Sequence, residues 1–165
     1  MATENLSAFS SENLPDASSM RVGIVVSEWN AQVTENLLRG AMETLTGQGV
    51  RLDNVHVVHV PGSFELASGA SMLIANRSVE AVICLGSIIR GETPHFEFVS
   101  LATANGIMDV GLRSGRPVIF GVLTDDNMEQ AQARSGGSKG NKGVEAAVTA
   151  IKMIALRRQL EDNLF

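Results

Sequence analysis

Hydrophobic residues form four continuous runs, separated by longer stretches in which they recur every three or four positions. Continuous apolar runs indicate strands buried on both faces, which is typical of a parallel sheet covered by helices. Strands are predicted at residues 22–26, 55–60, 81–89 and 118–123. Helices are predicted at residues 33–47, 64–76, 94–113, 127–134 and 144–160. This alternation predicts a three-layer α/β/α sandwich with a four-stranded parallel sheet.

Polar and aromatic residues follow the first three predicted strands. Ligands of an open parallel sheet bind outside the carboxyl ends of its strands. The residues at the strand ends are Trp29, Asn30, Gly62, Ser63, Phe64, Glu65, residues 90–95 and the region after Leu123. The sequence therefore predicts a binding site at this edge of the sheet.

Residues 93–95 are typical of a helix start. Thr93 is a good N-cap residue, and Pro94 suits the first helical position because its missing N–H costs nothing there. His95 is then expected in the first turn, beside unpaired main-chain N–H groups and the positive end of the helix dipole. The dipole disfavours the protonated imidazole, so the segment predicts an anion site with a neutral histidine beside it.

The helix that follows has two apolar stripes. One is formed by Phe96, Val99, Thr103, Ile107 and Val110, and the other by Phe98, Leu101, Met108 and Leu112. A helix that covers a sheet needs only one apolar stripe. The second stripe therefore predicts a subunit interface.

Composition and charge exclude several classes of protein. Of the 165 residues, 44% are hydrophobic and 19% charged, and the net charge of −5 argues against a nucleic-acid partner. No apolar run is long enough for a membrane span, and the N-terminal residues lack the pattern of a signal peptide. We therefore expect a cytoplasmic protein with no membrane partner.

One domain is predicted, at residues 21–160. Residues 1–20 are rich in serine and lack apolar periodicity, so we expect a flexible arm or one that orders on a neighbouring subunit. Residues 161–165 are predicted to be a C-terminal tail.

Cysteine and histidine positions argue against a disulfide or a metal site. The single cysteine, Cys84, lies in an apolar strand and is expected to be a core residue. His56 and His59 are three positions apart on a strand and so point to opposite faces. Both are expected to be structural.

Five segments together resemble one known family. They are VPGSFEL at 60–66, RGETPHFEF at 90–98, FGVLT at 120–124, EQA at 129–131 followed by Arg134, and GNKG at 140–143. In this order, over about residues 21–158, they closely resemble the motifs of the 6,7-dimethyl-8-ribityllumazine synthases. The resemblance implies a flavodoxin-like fold, with the N-terminal arm adding a strand to a neighbouring subunit. It also implies a transferase of riboflavin biosynthesis that requires no cofactor and no metal.

The family condenses 5-amino-6-(D-ribitylamino)uracil with 3,4-dihydroxy-2-butanone 4-phosphate and releases phosphate and water. By resemblance, Trp29 stacks on the pyrimidine. The ring and the ribityl chain are contacted by Asn30, Ser63, Phe64, Glu65 and the main chain of Ser87, Ile88 and Ile89. The phosphate is held by Gly91, Glu92, Thr93 and Arg134. His95 transfers a proton, and Phe120 closes the pocket from the adjacent subunit.

The role of the glycine-rich segment 135–143 is left open. A flexible connection to the last helix and a part in lining the site are both consistent with its sequence. Lys142 matches a basic position near the family's site.

Two other functions remain as alternatives. One is a riboflavin synthase of the archaeal type, which shares the fold but uses substrates without phosphate. The other is a shell protein that binds lumazine or flavin without catalysis. The resemblance also implies self-association into pentamers or icosahedral dodecamers of pentamers.

Overall fold

The computed structural model describes residues 14–162. Four parallel strands form a sheet in the order β2-β1-β3-β4. They are β1 Val22–Ser27, β2 Val55–Val60, β3 Ala81–Ile89 and β4 Val118–Asp125. The predicted four-stranded parallel sheet is confirmed, and β1 and β4 run slightly further than expected.

Helices cover both faces of the sheet. They are α1 Ala31–Gly47, α2 Leu66–Asn76, α3 His95–Ser114, α4 Met128–Arg134 and α5 Lys142–Asp162. A 3₁₀ turn at Ser63–Glu65 replaces the predicted first turn of α2. Short strands β5 Ser135–Gly137 and β6 Gly140–Asn141 pair antiparallel inside the glycine-rich segment and were not predicted.

The sheet separates two hydrophobic cores. Along β1, Ile24 and Val26 pack with the core that contains α1 and α5. The intervening Val25 packs with α2 and α3 on the opposite face. This alternation explains why the strands are apolar throughout, since each face of the sheet needs its own buried side chains.

Both predicted domain boundaries need correction. Ala17 and Met20 are fully buried in the core, so residues before 21 already belong to the domain. Arg158 of α5 binds both carboxylate oxygens of Glu80 and the hydroxyl of Ser19. At the other end α5 continues to Asp162, into the predicted tail. Residues 1–13, most of the predicted arm, and 163–165 lie outside the described residues.

The GNKG segment joins α1 to α5. The Asn141 side chain donates to the carbonyl of Asn36 at 2.9 Å and accepts from the N–H of Gly143 at 2.8 Å. A Cβ on Gly143 would overlap the carbonyl of Leu37 in α1. Residues 141 and 143 therefore have a packing role, because they let α5 begin directly against α1.

The two apolar stripes of α3 differ in burial. Thr103 and Ile107 are buried, and Phe96, Val99 and Val110 pack partly buried against the core below. On the other side, Phe98, Leu101, Met108 and Leu112 are 58–76% exposed. Other parts of the same chain thus cover only one side of α3. No helix within residues 14–162 is long and apolar enough to cross a membrane.

Candidate active site

A cavity of about 760 Å³ opens at the carboxyl ends of β1, β2 and β3. The chain passes from β1 outward to β2 and returns to β3 on the other side of β1, so this edge is a topological switch point. The cavity is lined by Trp29, Asn30, Ser63, Phe64, Glu65, Ser87, Ile88, Ile89, Gly91, Thr93, His95, Phe96, Phe98, Val99 and Ala102. The structure thus brings most of the predicted site residues together.

Asn30 connects the ends of two strands. Its φ of 60° and ψ of 41° place it in the left-handed region, which asparagine tolerates better than most residues. Among residues 14–162 it is the sole non-glycine residue with positive φ. Its side-chain amide donates to the carbonyl of Ser87 at 3.0 Å. This bond holds the end of β1 against β3 at the cavity.

Trp29 and Glu65 meet at Gly62. Trp29 is 67% exposed, and its indole lies so close to Gly62 that a Cβ there would be 2.6 Å from two ring carbons. The N–H of Gly62 donates to Oε2 of Glu65 at 3.0 Å. A glycine is thus required for the indole to rest on this turn. The exposed indole at the cavity is able to stack on a planar ring.

Ser63 lies deeper in the site. It is buried, its carbonyl accepts a hydrogen bond from the hydroxyl of Thr103 at 3.3 Å, and its hydroxyl faces Gly86. A Cβ on Gly86 would be 2.6 Å from Oγ of Ser63. The turn at Ser63–Glu65 therefore packs directly on β3 and α3, which fixes its position relative to the other lining residues.

The start of α3 differs from the prediction in one respect. Pro94 is the N-cap residue and His95 the first helical residue, and no side chain caps the helix, so the prediction of Thr93 as N-cap is wrong. The carbonyl of Pro94 accepts the first hydrogen bonds of the helix, from the N–H groups of Glu97 and Phe98 at 3.1 and 3.4 Å, which leaves Thr93 outside the helix. His95 is exposed in the first turn and lines the cavity, as expected.

Comparison with known proteins identifies the family. The family model of 6,7-dimethyl-8-ribityllumazine synthase matches residues 19–158, nearly the whole chain. The chain belongs to this family.

Curated relatives agree with this assignment. Proteins named 6,7-dimethyl-8-ribityllumazine synthase from Parabacteroides distasonis and Cytophaga hutchinsonii are 51% and 53% identical to the chain. Each match covers 93% of this chain and 96% of the relative. The protein of that name from Porphyromonas gingivalis is 47% identical, over 95% of this chain and 98% of the relative.

Four residues implicated by the resemblance to lumazine synthases do not line this cavity: Glu92, Phe120, Arg134 and Lys142. Phe120 lies near the amino end of β4, about 16 Å from its carboxyl end at 3.3 Å per residue. Phe120 and Lys142 instead line a separate surface recess. Arg134 ends α4, where its Nε is 3.5 Å from Oδ1 of Asp125.

Arg90 is a further candidate that the sequence does not single out. Its guanidinium forms ion pairs with Glu97 in the first turn of α3 and with Asp126 after β4, and it lies 4.3 Å from the centre of the Phe96 ring. The hydrogen bond from Arg90 holds the pKa of Glu97 below its usual value. Arg90 thus ties the segment 91–95 to the loop after β4. Its partners are 7 and 36 residues away, which no sequence periodicity indicates.

His59 and Cys84 lie outside the cavity. Residues 14–162 contain no group of three or more metal-ligating side chains. His59 contacts Glu35 at 3.1 Å on the surface. Cys84 is fully buried, and burial raises the pKa of its thiol to about 12.

Proposed function

We propose that this chain condenses 5-amino-6-(D-ribitylamino)uracil with 3,4-dihydroxy-2-butanone 4-phosphate to give 6,7-dimethyl-8-ribityllumazine. The observation that carries the proposal is the convergence of Trp29, the turn 63–65, the end of β3 and His95 on one cavity. Family membership supports this reaction, and the lining of the cavity supports substrate binding there.

The pyrimidine is proposed to bind between Trp29 and the end of β3. The exposed indole stacks on the ring, and main-chain groups of Ser87, Ile88 and Ile89 are available to its polar edge. The ribityl hydroxyls are donors for the Glu65 carboxylate and partners for Asn30 and Ser63. Phe64, which is 60% exposed, supplies apolar contact.

The phosphorylated substrate is proposed to bind at the start of α3. Main-chain N–H groups of Gly91, Glu92 and Thr93 lie next to the N-terminus of the helix, where an anion is favoured. Arg134 is proposed to add a bidentate contact to the phosphate. This places the phosphate beside His95.

The reaction needs two bound molecules and a mobile proton. The 5-amino group of the pyrimidine attacks the ketone, water leaves to form an imine, phosphate is eliminated, and the 6-ribitylamino nitrogen closes the ring with loss of water. Holding two reactants together in a reactive geometry lowers the barrier by about 7–11 kcal/mol in the best cases. His95, exposed at the cavity, is proposed to carry protons between the reacting nitrogen, carbon and oxygen atoms.

The complete site is proposed to be shared between subunits. Phe120, Arg134 and Lys142 lie outside the cavity of a single chain, and the second stripe of α3 is exposed beside it. Both observations support self-association, into pentamers or dodecamers of pentamers, in which a neighbour supplies these side chains. Sedimentation velocity tests this directly, and a purely monomeric active enzyme contradicts it.

The proposed location of the protein is the cytoplasm.

The decisive experiment mixes the protein with both substrates and follows lumazine absorbance together with phosphate release. Stoichiometric appearance of both products is expected. Riboflavin formed from lumazine without phosphate release would instead indicate an archaeal-type riboflavin synthase. Binding of lumazine without turnover would indicate a shell protein that lacks catalysis.

A further inference from the structure

A buried carboxylate lies at the end of β4, outside the cavity. Asp125 is 5% exposed and is the last residue of the strand, in register with Ile89 of β3. Its main-chain carbonyl accepts a hydrogen bond from the N–H of Arg90 at 2.9 Å. Its Oδ2 is buried and has no hydrogen-bond partner among residues 14–162. A buried carboxylate is expensive unless a cation or several donors compensate it.

Arg134 is the cation that faces this carboxylate. Nε of Arg134 is 3.5 Å from Oδ1 of Asp125, and 45% of the arginine side chain is exposed. Burial raises the pKa of Asp125, the positive charge of Arg134 lowers it in part, and the neighbouring Asp126 raises it further. Asp126 itself is paired with Arg90. Each of the two adjacent carboxylates therefore has its own arginine.

The geometry leaves one edge of the Arg134 guanidinium unused. Asp125 approaches the Nε side, and no ion pair or hydrogen bond within residues 14–162 involves the two terminal nitrogens. A guanidinium is planar, so fixing it on one side also fixes the direction of the remaining donors. An oxyanion binds best to a pair of such donors held in advance, because less side-chain freedom is then lost on binding.

We propose that Asp125 is a positioning residue that holds Arg134 by its Nε side and presents its terminal N–H groups to the phosphate of the four-carbon substrate. This inference rests on the proposed function, in which Arg134 binds that phosphate. Asp125 touches no substrate and acts only through Arg134. A carboxylate that only formed a structural ion pair would affect both substrates alike. A positioning role instead predicts a change in the KM for the phosphorylated substrate alone.

The test compares steady-state kinetics of the wild type and the Asp125→Asn variant. Asparagine has the same shape and keeps an acceptor but loses the charge. The KM for the phosphorylated substrate is expected to rise about five- to tenfold, in the range for coupled neighbouring side chains. The inhibition constant of inorganic phosphate is expected to rise in parallel, while the KM for the pyrimidine stays within about twofold. Equal changes in both KM values would overturn the proposal.

Glu80→Gln is the matched control. Glu80 is also a partly buried carboxylate paired with an arginine, Arg158, but it precedes β3 and so lies at the opposite end of the sheet. Its replacement is expected to leave both KM values unchanged. If Glu80→Gln raises the KM for the phosphorylated substrate as much as Asp125→Asn does, the effect is a general loss of stability and the positioning role is wrong.

Arg134→Ala, alone and combined with Asp125→Asn, separates this inference from the proposed function. Arg134→Ala leaving the KM for the phosphorylated substrate unchanged contradicts the phosphate role of Arg134. If Arg134→Ala raises that KM but Asp125→Asn does not, only the positioning role of Asp125 is wrong. In the Arg134→Ala background, Asp125→Asn is expected to add nothing, and an undiminished further increase overturns the inference.

A second variant covers the case in which Asp125→Asn folds poorly. Arg134→Lys keeps a positive charge near Asp125, but it lacks a planar group that can contact the carboxylate and the phosphate at once. It is expected to keep the urea midpoint of the wild type and to raise the phosphate inhibition constant about fivefold or more. Wild-type phosphate affinity in this folded variant contradicts positioning.

Discussion

The side-chain amide of Asn30 donates a 3.0 Å hydrogen bond to the main-chain carbonyl of Ser87, and Asn30 itself has a φ of 60°. One residue thus combines an unusual backbone conformation with a bond between the ends of β1 and β3. Left-handed geometry costs most residues about 1–2 kcal/mol relative to glycine or asparagine. Strain of this kind is concentrated at functional sites, where surrounding structure maintains it.

Replacement of Asn30 by glycine and by alanine separates these two contributions. The Asn30→Gly variant adopts the left-handed backbone conformation without strain and loses only the hydrogen bond. The Asn30→Ala variant loses the hydrogen bond and is also strained in this conformation. The free energy of unfolding in urea is expected to be about 1 kcal/mol lower for Asn30→Ala than for Asn30→Gly. Equal stability of the two variants contradicts a strained backbone. Both variants are expected to raise the KM for the pyrimidine.

Trp29 is predicted to act through its aromatic ring. Trp29→Ala is expected to raise the KM for the pyrimidine about tenfold, since aromatic stacking contributes about 0.5–1.5 kcal/mol beyond burial of area. Trp29→Phe keeps a ring and is expected to remain within about threefold of the wild type. The comparison needs only steady-state kinetics. If Trp29→Phe raises the KM for the pyrimidine as much as Trp29→Ala does, binding depends on the indole N–H rather than on stacking.

His95 is predicted to affect the chemical step. His95→Ala is expected to lower kcat about 10- to 100-fold, near the low end for acid–base catalysis, because the condensation can also proceed in water. Imidazole added to the buffer is expected to restore part of the rate. His59→Ala is the matched control, since that ring contacts Glu35 on the surface. An unchanged kcat removes His95 from the mechanism.

Gly143 is predicted to be essential for packing of α5 on α1. An added methyl group would overlap the carbonyl of Leu37, and overpacking of this kind costs about 1–3 kcal/mol or more. Gly143→Ala is therefore expected to lower the urea midpoint clearly. Gly47→Ala, at the end of α1 with no atom near the added group, is the control. It is expected to raise stability by about 0.5 kcal/mol. Similar behaviour of both variants would falsify the packing role.

The Glu80–Arg158 pair is predicted to make stability depend on pH. Burial alone raises the pKa of Glu80, but hydrogen bonds from Arg158 and from the N–H of Arg21 outweigh it and leave the pKa below its ordinary value of 4.5. A lowered carboxylate pKa means that the stabilisation is complete above that value and is lost as the pH falls through the folded pKa. The difference in urea midpoint between wild type and Glu80→Gln is expected to shrink steadily below about pH 4.5. A constant difference down to about pH 3 contradicts this.

The sheet and most cavity residues could be predicted because they depend on local patterns. Continuous apolar runs gave the strands, and the carboxyl-end rule placed Trp29, Ser63 and His95 at one edge. The prediction of Thr93 as N-cap was wrong because Pro94 took the capping position itself. The sequence pattern at a helix start does not show which of two neighbouring residues is the N-cap.

Pairings across the fold could not be predicted. Arg90 with Asp126, Asp125 with Arg134 and Asn141 with Asn36 join different elements, and their geometry depends on how strands and helices pack. The requirement for glycine at position 143 could not be predicted either, because it arises only from the packing of α1 beside this residue. The roles of Phe120 and Lys142 remain predictions, since they lie outside the cavity of one chain.

The exposed stripe of α3 has a consequence for the thermodynamics of the protein. Phe98, Leu101, Met108 and Leu112 are open to water in a lone chain, so covering them by association adds to the stability of the folded state by mass action. In the proposed assembly the melting temperature would rise with protein concentration, and dilution would shift the population toward separated chains. If the chains associate as proposed, assays at nanomolar and at micromolar enzyme would sample different species, and specific activity would depend on enzyme concentration.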